Sequence, residues 1–247
     1  MRGVSCAHVR TQTLATAAPR AARRRARGPA APAAAADGVD TIGFSALRLL
    51  KPSPSEIEEL VATSFSGRAV NHPDAGASAS APDLPADVMG RGYMITTNRR
   101  KIGEGQKVYD AAVAAIKAWE QVQLGWNFTT KPPVKEGAKL CSATQTVVPW
   151  SVLPAQVVYS GDEAADFGGG DKGRRFAVGL ASLSGHLLAG EERFSVELHA
   201  DGSVWYDVFL FSRPNTILAW ASLPVIKLMQ LRYVNDSLSA VASATAA

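Results

Sequence analysis

Phe194-Ser195-Val196-Glu197-Leu198-His199-Ala200-Asp201-Gly202-Ser203-Val204-Trp205-Tyr206-Asp207-Val208-Phe209-Leu210-Phe211-Ser212-Arg213-Pro214 is the stretch that decides the fold. Phe194, Val196 and Leu198 alternate with Ser195, Glu197 and His199, the period of a strand with one buried face. Val204, Tyr206, Val208 and Leu210 alternate in the same way with Trp205, Asp207, Phe209 and Phe211. A two-residue Asp201-Gly202 turn would set Val196 opposite Asp207. A three-residue Ala200-Asp201-Gly202 loop, with Gly202 left-handed, sets Val196 opposite Tyr206 and Leu198 opposite Val204. One residue of slip flips every side chain. The three-residue loop sorts apolar from polar better and is the register expected. It turns Asp207 outward beside Ser195, away from any cavity.

Working upstream, Arg175–Leu183, Gln156–Ser160 and Lys139–Val148 read as further strands, and Gly92–Ile102 as an earlier one. Between them Gln106–Leu124 carries Tyr109, Ala112, Val113, Ile116 and Trp119 at helical spacing, with Gly125 as its expected C-terminal cap. Asp162–Gly173, acidic and triple-Gly, is expected as a mobile loop. Ser53-Pro54-Ser55-Glu56 is a capping-box sequence that opens a short helix over Pro54–Ser64. Downstream of the hairpin, Asn215–Val241 reads as a long helix, bent or broken near Pro224. The order is strand, helix, a run of antiparallel strands and a terminal helix. It predicts an α+β fold in which a curved antiparallel β-sheet grips the C-terminal helix.

Residues 1–36 are of another kind. They hold seven Arg, no Asp or Glu and much Ala, and the first acid is Asp37. Such composition marks an organelle transit peptide, disordered before import. A nucleic-acid-binding basic arm usually carries Lys as well, and none is present here. Without this segment 19 basic residues face 22 acidic ones, so the body is near −3 and no nucleic-acid partner is expected. Residues 37–88 are expected as a short helix and a flexible linker, Ala/Ser/Pro-rich from Ser66 to Asp87, and residues 89–247 as the folded domain. Cys141 is the one cysteine beyond the presequence, so no disulfide framework is expected. No segment reads as a membrane-spanning helix.

The motifs Ala118-Trp119, Val147-Val148-Pro149-Trp150, Leu153-Pro154-Ala155-Gln156-Val157-Val158-Tyr159, Gly185-His186, Gly190-Glu191-Glu192-Arg193-Phe194, Val204-Trp205-Tyr206 and Phe211-Ser212-Arg213-Pro214 resemble those of domain-of-unknown-function family 1990, also called UPF0548, in its plant and algal form. The likeness runs over about Tyr93–Leu238. It implies kinship with the START and Bet v 1-like helix-grip proteins. Through the plant members it also implies a chloroplast location, in stroma or envelope. Some of those members are placed at the outer envelope, with a channel activity proposed. Outer-envelope proteins usually lack a cleavable presequence, and this chain departs from that pattern.

The expected function is the binding of a small apolar ligand or lipid between sheet and terminal helix, with Tyr159, His186, Glu192 and Arg213 as the polar set. Two alternatives stand beside it: an envelope-associated membrane or cation-channel protein, and a small cyclase- or hydrolase-like enzyme. In the last, His186 with Glu191 or Glu192 would move protons. Each residue also has a plainer role. His186, Glu191 and Glu192 suit a hairpin turn between Gly185 and Gly190, and Arg213 suits an ion pair with Glu191 or Glu192. Trp119, Tyr159 and Tyr206 suit core packing. Trp205, outward beside Phe209 and Phe211, is expected to contact another element, a partner or a membrane. His199 is expected on the solvent face. No metal and no cofactor are expected, because His72 and His199 are the only further imidazoles in the body.

Overall fold

The computed structural model describes residues 42–146 and 149–246. The expected transit peptide, residues 1–36, lies outside them. In chain order the elements are β1 (Leu47–Arg48), α1 (Pro54–Leu60), α2 (Ala86–Met89), β2 (Met94–Glu104), α3 (Gly105–Lys117), β3 (Asn127–Thr129), β4 (Lys139–Gln145), β5 (Trp150–Asp166), β6 (Lys172–Ser182), β7 (Leu188–Leu198), β8 (Ser203–Pro214), α4 (Ile217–Ala221) and α5 (Leu223–Thr245).

β7 and β8 pair as their alternation requires, Val196 opposite Tyr206, Leu198 opposite Val204 and Ser195 opposite Asp207. Gly202 takes φ 83°, a left-handed conformation that costs glycine nothing. The antiparallel sheet runs β2-β8-β7-β6-β5-β4-β3, with β1 added to the start of β5. The first long strand therefore sits beside the last. Bulges at Val157/Tyr159 in β5 and Lys101/Gly103 in β2 add local bend to a sheet that curls into a half-barrel.

Its concave face holds the main core. Phe194 and Val196 of β7 and Val204, Tyr206 and Val208 of β8 pack with Tyr109, Ala112 and Ile116 of α3, and with Val234, Leu238 and Val241 of α5. Each such side chain, taken from water, contributes about 1.5–3 kcal/mol. The helix-grip expectation holds. The terminal helix breaks at Ser222, with Pro224 in the first turn of α5, where its missing N–H is harmless.

Several local expectations need correction. The helix from Gln106 ends at Lys117, because Trp119 adopts φ 63° and starts a 3-10 turn over Glu120–Val122, so Gly125 caps nothing. Trp119 is fully buried and its indole N–H donates to the Pro132 carbonyl at 2.7 Å, a tertiary anchor that overrides helix propensity. The expected mobile loop over Asp162–Gly173 is mostly strand, since β5 reaches Asp166 and β6 starts at Lys172. Only Phe167–Asp171 turns, through three left-handed glycines. The first short helix is α-helical to Leu60 and continues as a π turn through Phe65. Ser53 caps it by accepting from the Glu56 N–H at 3.1 Å.

The largest correction concerns Ser66–Asp87, expected as a flexible linker. It forms a strap seated on the convex face of the sheet. Val70 bridges Leu183, Asn71 N–H donates to the Ser182 carbonyl, and Ala77–Ser80 forms a 3-10 turn. Ala81, Leu84, Val88 and Tyr93 cover Phe209 and Phe211. The outward aromatics of β8 do meet another element, and it belongs to the same chain. Trp205 is half-buried, with the Arg99 guanidinium 4.6 Å from its ring centre. His199 does not stand in solvent either, being mostly covered and 2.5 Å from Asp171 through Nδ1.

Candidate ligand-binding site

Between the concave face and the first half of α5 lies a cavity of about 170 Å3. Its sheet wall includes Leu153 and Ala155 of β5, Leu188 and Glu192 of β7, and Leu210 of β8. Its helix wall is Ile226, Met229, Gln230 and Tyr233. These four follow the i, i+3, i+4, i+7 spacing of one helix face. A smaller pocket of about 90 Å3 adjoins it and shares Ala155, His186, Leu188, Glu192, Leu210 and Gln230.

Of the expected polar set, His186 and Glu192 meet in this cavity. His186 lies in the turn before β7, and its Nδ1 accepts the Leu188 N–H at 2.9 Å. That bond places the proton of the neutral ring on Nε2. Burial pushes its pKa down to about 4, so the ring is neutral near pH 7. Glu192 lies deep among protein atoms, with part of its surface facing the cavity. Burial pushes its carboxyl up to about 7. Among the described residues its one side-chain partner is the Tyr233 hydroxyl, which donates to Oε1 at a long 3.5 Å.

Tyr159 and Arg213 are elsewhere. The Tyr159 hydroxyl is 2.6 Å from Ser78 Oγ in the strap. Arg213 makes no pair with either glutamate. Its guanidinium donates to the Arg91 carbonyl and lies over the Tyr93 ring. Glu191 is also on the convex face, because neighbours on a strand point to opposite sides. It accepts from the backbone N–H of Gly76 at 2.6 Å and of Ser78 at 2.9 Å, and from the Ser78 hydroxyl. Burial raises its pKa and these bonds oppose the rise. Glu191 holds down the strap with its carboxylate and is not part of the lining of the larger cavity. Gly190, expected in a turn, is within β7. A Cβ there would lie 2.1 Å from the Phe211 carbonyl oxygen, so glycine is needed for strand approach.

Sequence reasoning missed Gln230 and Tyr233. The signal was present as two polar-tipped residues within the apolar face of the terminal helix. It also missed the Ser78–Glu191 anchor, for which no local pattern exists. Among the described residues no group of three or more His, Cys, Asp or Glu is placed to hold a metal. Cys141 is fully buried in β4, and burial pushes its thiol up to about 12. Chemically, the cavity offers an apolar wall, a neutral imidazole and a carboxyl able to gain or lose a proton near neutral pH.

The family model of the domain of unknown function DUF1990 matches residues 71–240. The chain belongs to the DUF1990 family. A UPF0548 protein of Arabidopsis thaliana is 38% identical over 151 residues, covering 61% of this chain and 72% of the relative. A UPF0548 protein of Dictyostelium discoideum is 30% identical over 148 residues, covering 56% of this chain and 66% of the relative. Among solved structures, Ara h 8.0201 is similar at 12% identity and a TM-score of 0.36, over 62% of this chain and 99% of that one. The DUF1990 match begins at Asn71, one residue after the Val70–Leu183 bridge, and so includes most of the strap. In this family member the element order and sheet topology are those of a helix-grip fold.

Proposed function

We propose that this DUF1990 protein is a plastid binding module that holds a small, mostly apolar ligand between sheet and α5. The observation that carries the reading is the cavity itself, mostly apolar with a few Ser and Thr hydroxyls on the sheet side and with Glu192 and His186 as orienting groups. A volume of 170 Å3 is room for about six water molecules at ~30 Å3 each. That suits a compact molecule or one end of a longer chain. Native mass spectrometry of residues 37–247 purified from plastid extract, with solvent extraction of what is released, tests it. A stoichiometric small molecule is the expected result. An empty, monodisperse protein that takes up nothing from a total plastid lipid extract would sink the reading. The plastid location rests on the Arg-rich, acid-free residues 1–36. Fused to a fluorescent protein, that segment is expected to direct import into chloroplasts and to be removed. Retention in the cytosol would refute it.

A second reading, peripheral contact with an envelope surface, is favoured by one feature. Ile217 and Trp220 of α4 and Leu228 and Leu231 of α5 are exposed at 64, 63, 68 and 53%, the last two on the face of α5 opposite Ile226, Met229, Gln230 and Tyr233. From Ile217 to Asn235 the charged residues are Lys227 and Arg232, with no acid. Apolar, Trp-bearing and basic is the pattern of helices that lie in a membrane interface. No helix among the described residues is long and apolar enough to cross a membrane. Carbonate washing of envelope membranes is therefore expected to release the protein, and Trp220→Ser with Leu228→Ser to abolish its sedimentation with anionic vesicles. Retention of the protein in the carbonate pellet would favour an integral protein instead.

A further inference from the structure

The carboxylates buried on or against the sheet differ in one respect. Glu191 accepts three donors from the strap. Asp207 pairs with Arg193 at 2.7 Å, Glu197 with Arg99 at 2.8 Å and Arg175 at 3.0 Å, and Asp74 with Arg91 at 3.3 Å. All four belong to the convex side or the strap. Glu192 alone points into the cavity. Among the described residues it pairs with no Lys, Arg or charged His, and its single donor is the Tyr233 hydroxyl at 3.5 Å. The titratable groups around it are His186 before β7, Tyr206 on β8 and Tyr233 on α5. Burial keeps the imidazole neutral and holds both phenols in their protonated form. Among the described residues no positive charge lines the cavity around this carboxyl.

The other polar side chains of the lining are neutral: Ser142, Thr146 and Ser151 contribute hydroxyls, and three more are engaged with protein groups. Thr144 Oγ1 donates to Asn127 Oδ1, and Asn127 Nδ2 to the Val122 carbonyl. Gln230 Nε2 donates to Ser212 Oγ at 2.8 Å. Among the lining residues the one group able to carry charge near neutral pH is thus the Glu192 carboxyl, set among an imidazole N–H, a few neutral hydroxyls and hydrocarbon. An isolated carboxylate in such surroundings is costly, and a cation brought by the ligand would relieve that cost. An anionic ligand would meet the carboxylate with no cation to offset it.

We propose that the cavity selects a small apolar amine, its ammonium group donating to Glu192 and its hydrocarbon lying along Leu153, Leu210, Ile226 and Met229. This rests on the reading of the cavity as a ligand site. It adds the chemical class of the ligand, since a charge-assisted bond is stronger than one from a neutral hydroxyl.

Isothermal titration of the full chain with hexylamine, hexanol and hexanoate tests it, at about pH 8, where the amine is charged and Glu192 is mostly ionised. Hexylamine is expected to bind at least about tenfold tighter than hexanol, and hexanoate weakest. Glu192→Gln should bring hexylamine affinity down to that of hexanol, and continued binding of hexanol shows that the variant folds. Should that variant fail to fold, the wild-type protein decides, because lowering the pH to about 6 should weaken hexylamine and not hexanol. Hexanol binding as tightly as hexylamine, or an amine advantage that survives in Glu192→Gln, would overturn the amine inference while the cavity remained a ligand site. Failure of all three probes to bind would overturn both.

Discussion

Glu191 and Glu192 are adjacent in the chain and stand on opposite faces of β7, and their environments give them different work. Glu191 satisfies the backbone of the strap. Glu191→Ala is expected to cost about 1–3 kcal/mol, because it leaves two backbone donors without their acceptor. Thermal unfolding reads the loss, and hydrogen exchange should show Gly76 and Ser78 losing protection first. Glu192 has a folded pKa of about 7 against 4.5 for the free side chain. The native state thus holds the proton more tightly, and this residue's contribution to stability falls as pH rises from about 4.5 to 7. His186 works the other way, its pKa depressed from 6.5 to about 4. The unfolded state binds that proton more tightly, so stability rises with pH across that window. The two slopes oppose each other between about 4.5 and 6.5. The wild-type profile is therefore expected to be flat there. Glu192→Gln should expose a rising slope and His186→Asn a falling one in denaturant titrations across that range. Two variant profiles that stay superimposable on the wild type would contradict the assignment. Cys141 should resist thiol reagents until the protein unfolds, since burial and a pKa pushed up to about 12 keep it a thiol.

At the scale of elements, the hairpin was legible because its two strands sort side chains by face and one register does so better than the other. α3 was legible from its apolar stripe, but its end was not. Trp119 leaves the helix to reach the Pro132 carbonyl, and nothing within the helix announces that partner. The strap was misread for a physical reason. Ala, Ser, Gly and Pro are the residues of linkers, and here their small size lets the backbone N–H groups of Gly76 and Ser78 approach a buried carboxylate. The prediction at this scale concerns Gly190. Gly190→Ala puts a methyl group against the Phe211 carbonyl and the Ser212 Cα, and it should separate β7 from β8 locally. It is expected to destabilise by about 2 kcal/mol or more. Unchanged unfolding in denaturant would show that the strands shift apart at no cost.

For the whole molecule, the cavity exists because the curled sheet and the terminal helix do not close on each other completely. Ala155 lines both pockets from the sheet side. Ala155→Phe should fill the space and abolish uptake of any ligand while circular dichroism and melting stay close to wild type. Uptake that persists would place the binding site elsewhere. Sequence alone determined the α+β class, the register of the hairpin, the break before Pro224 and the family, because alternation, turn chemistry and ordered motifs are local and repeat along the chain. It also named His186 and Glu192. What only the tertiary structure decided is which polar residues share a space. Tyr159, Glu191 and Arg213 went to the convex face, while Gln230 and Tyr233 joined Glu192 from a helix some forty residues away. Face is set by strand parity and by what packs across it. The partner across a cavity comes from a distant part of the chain, and no local pattern encodes that meeting.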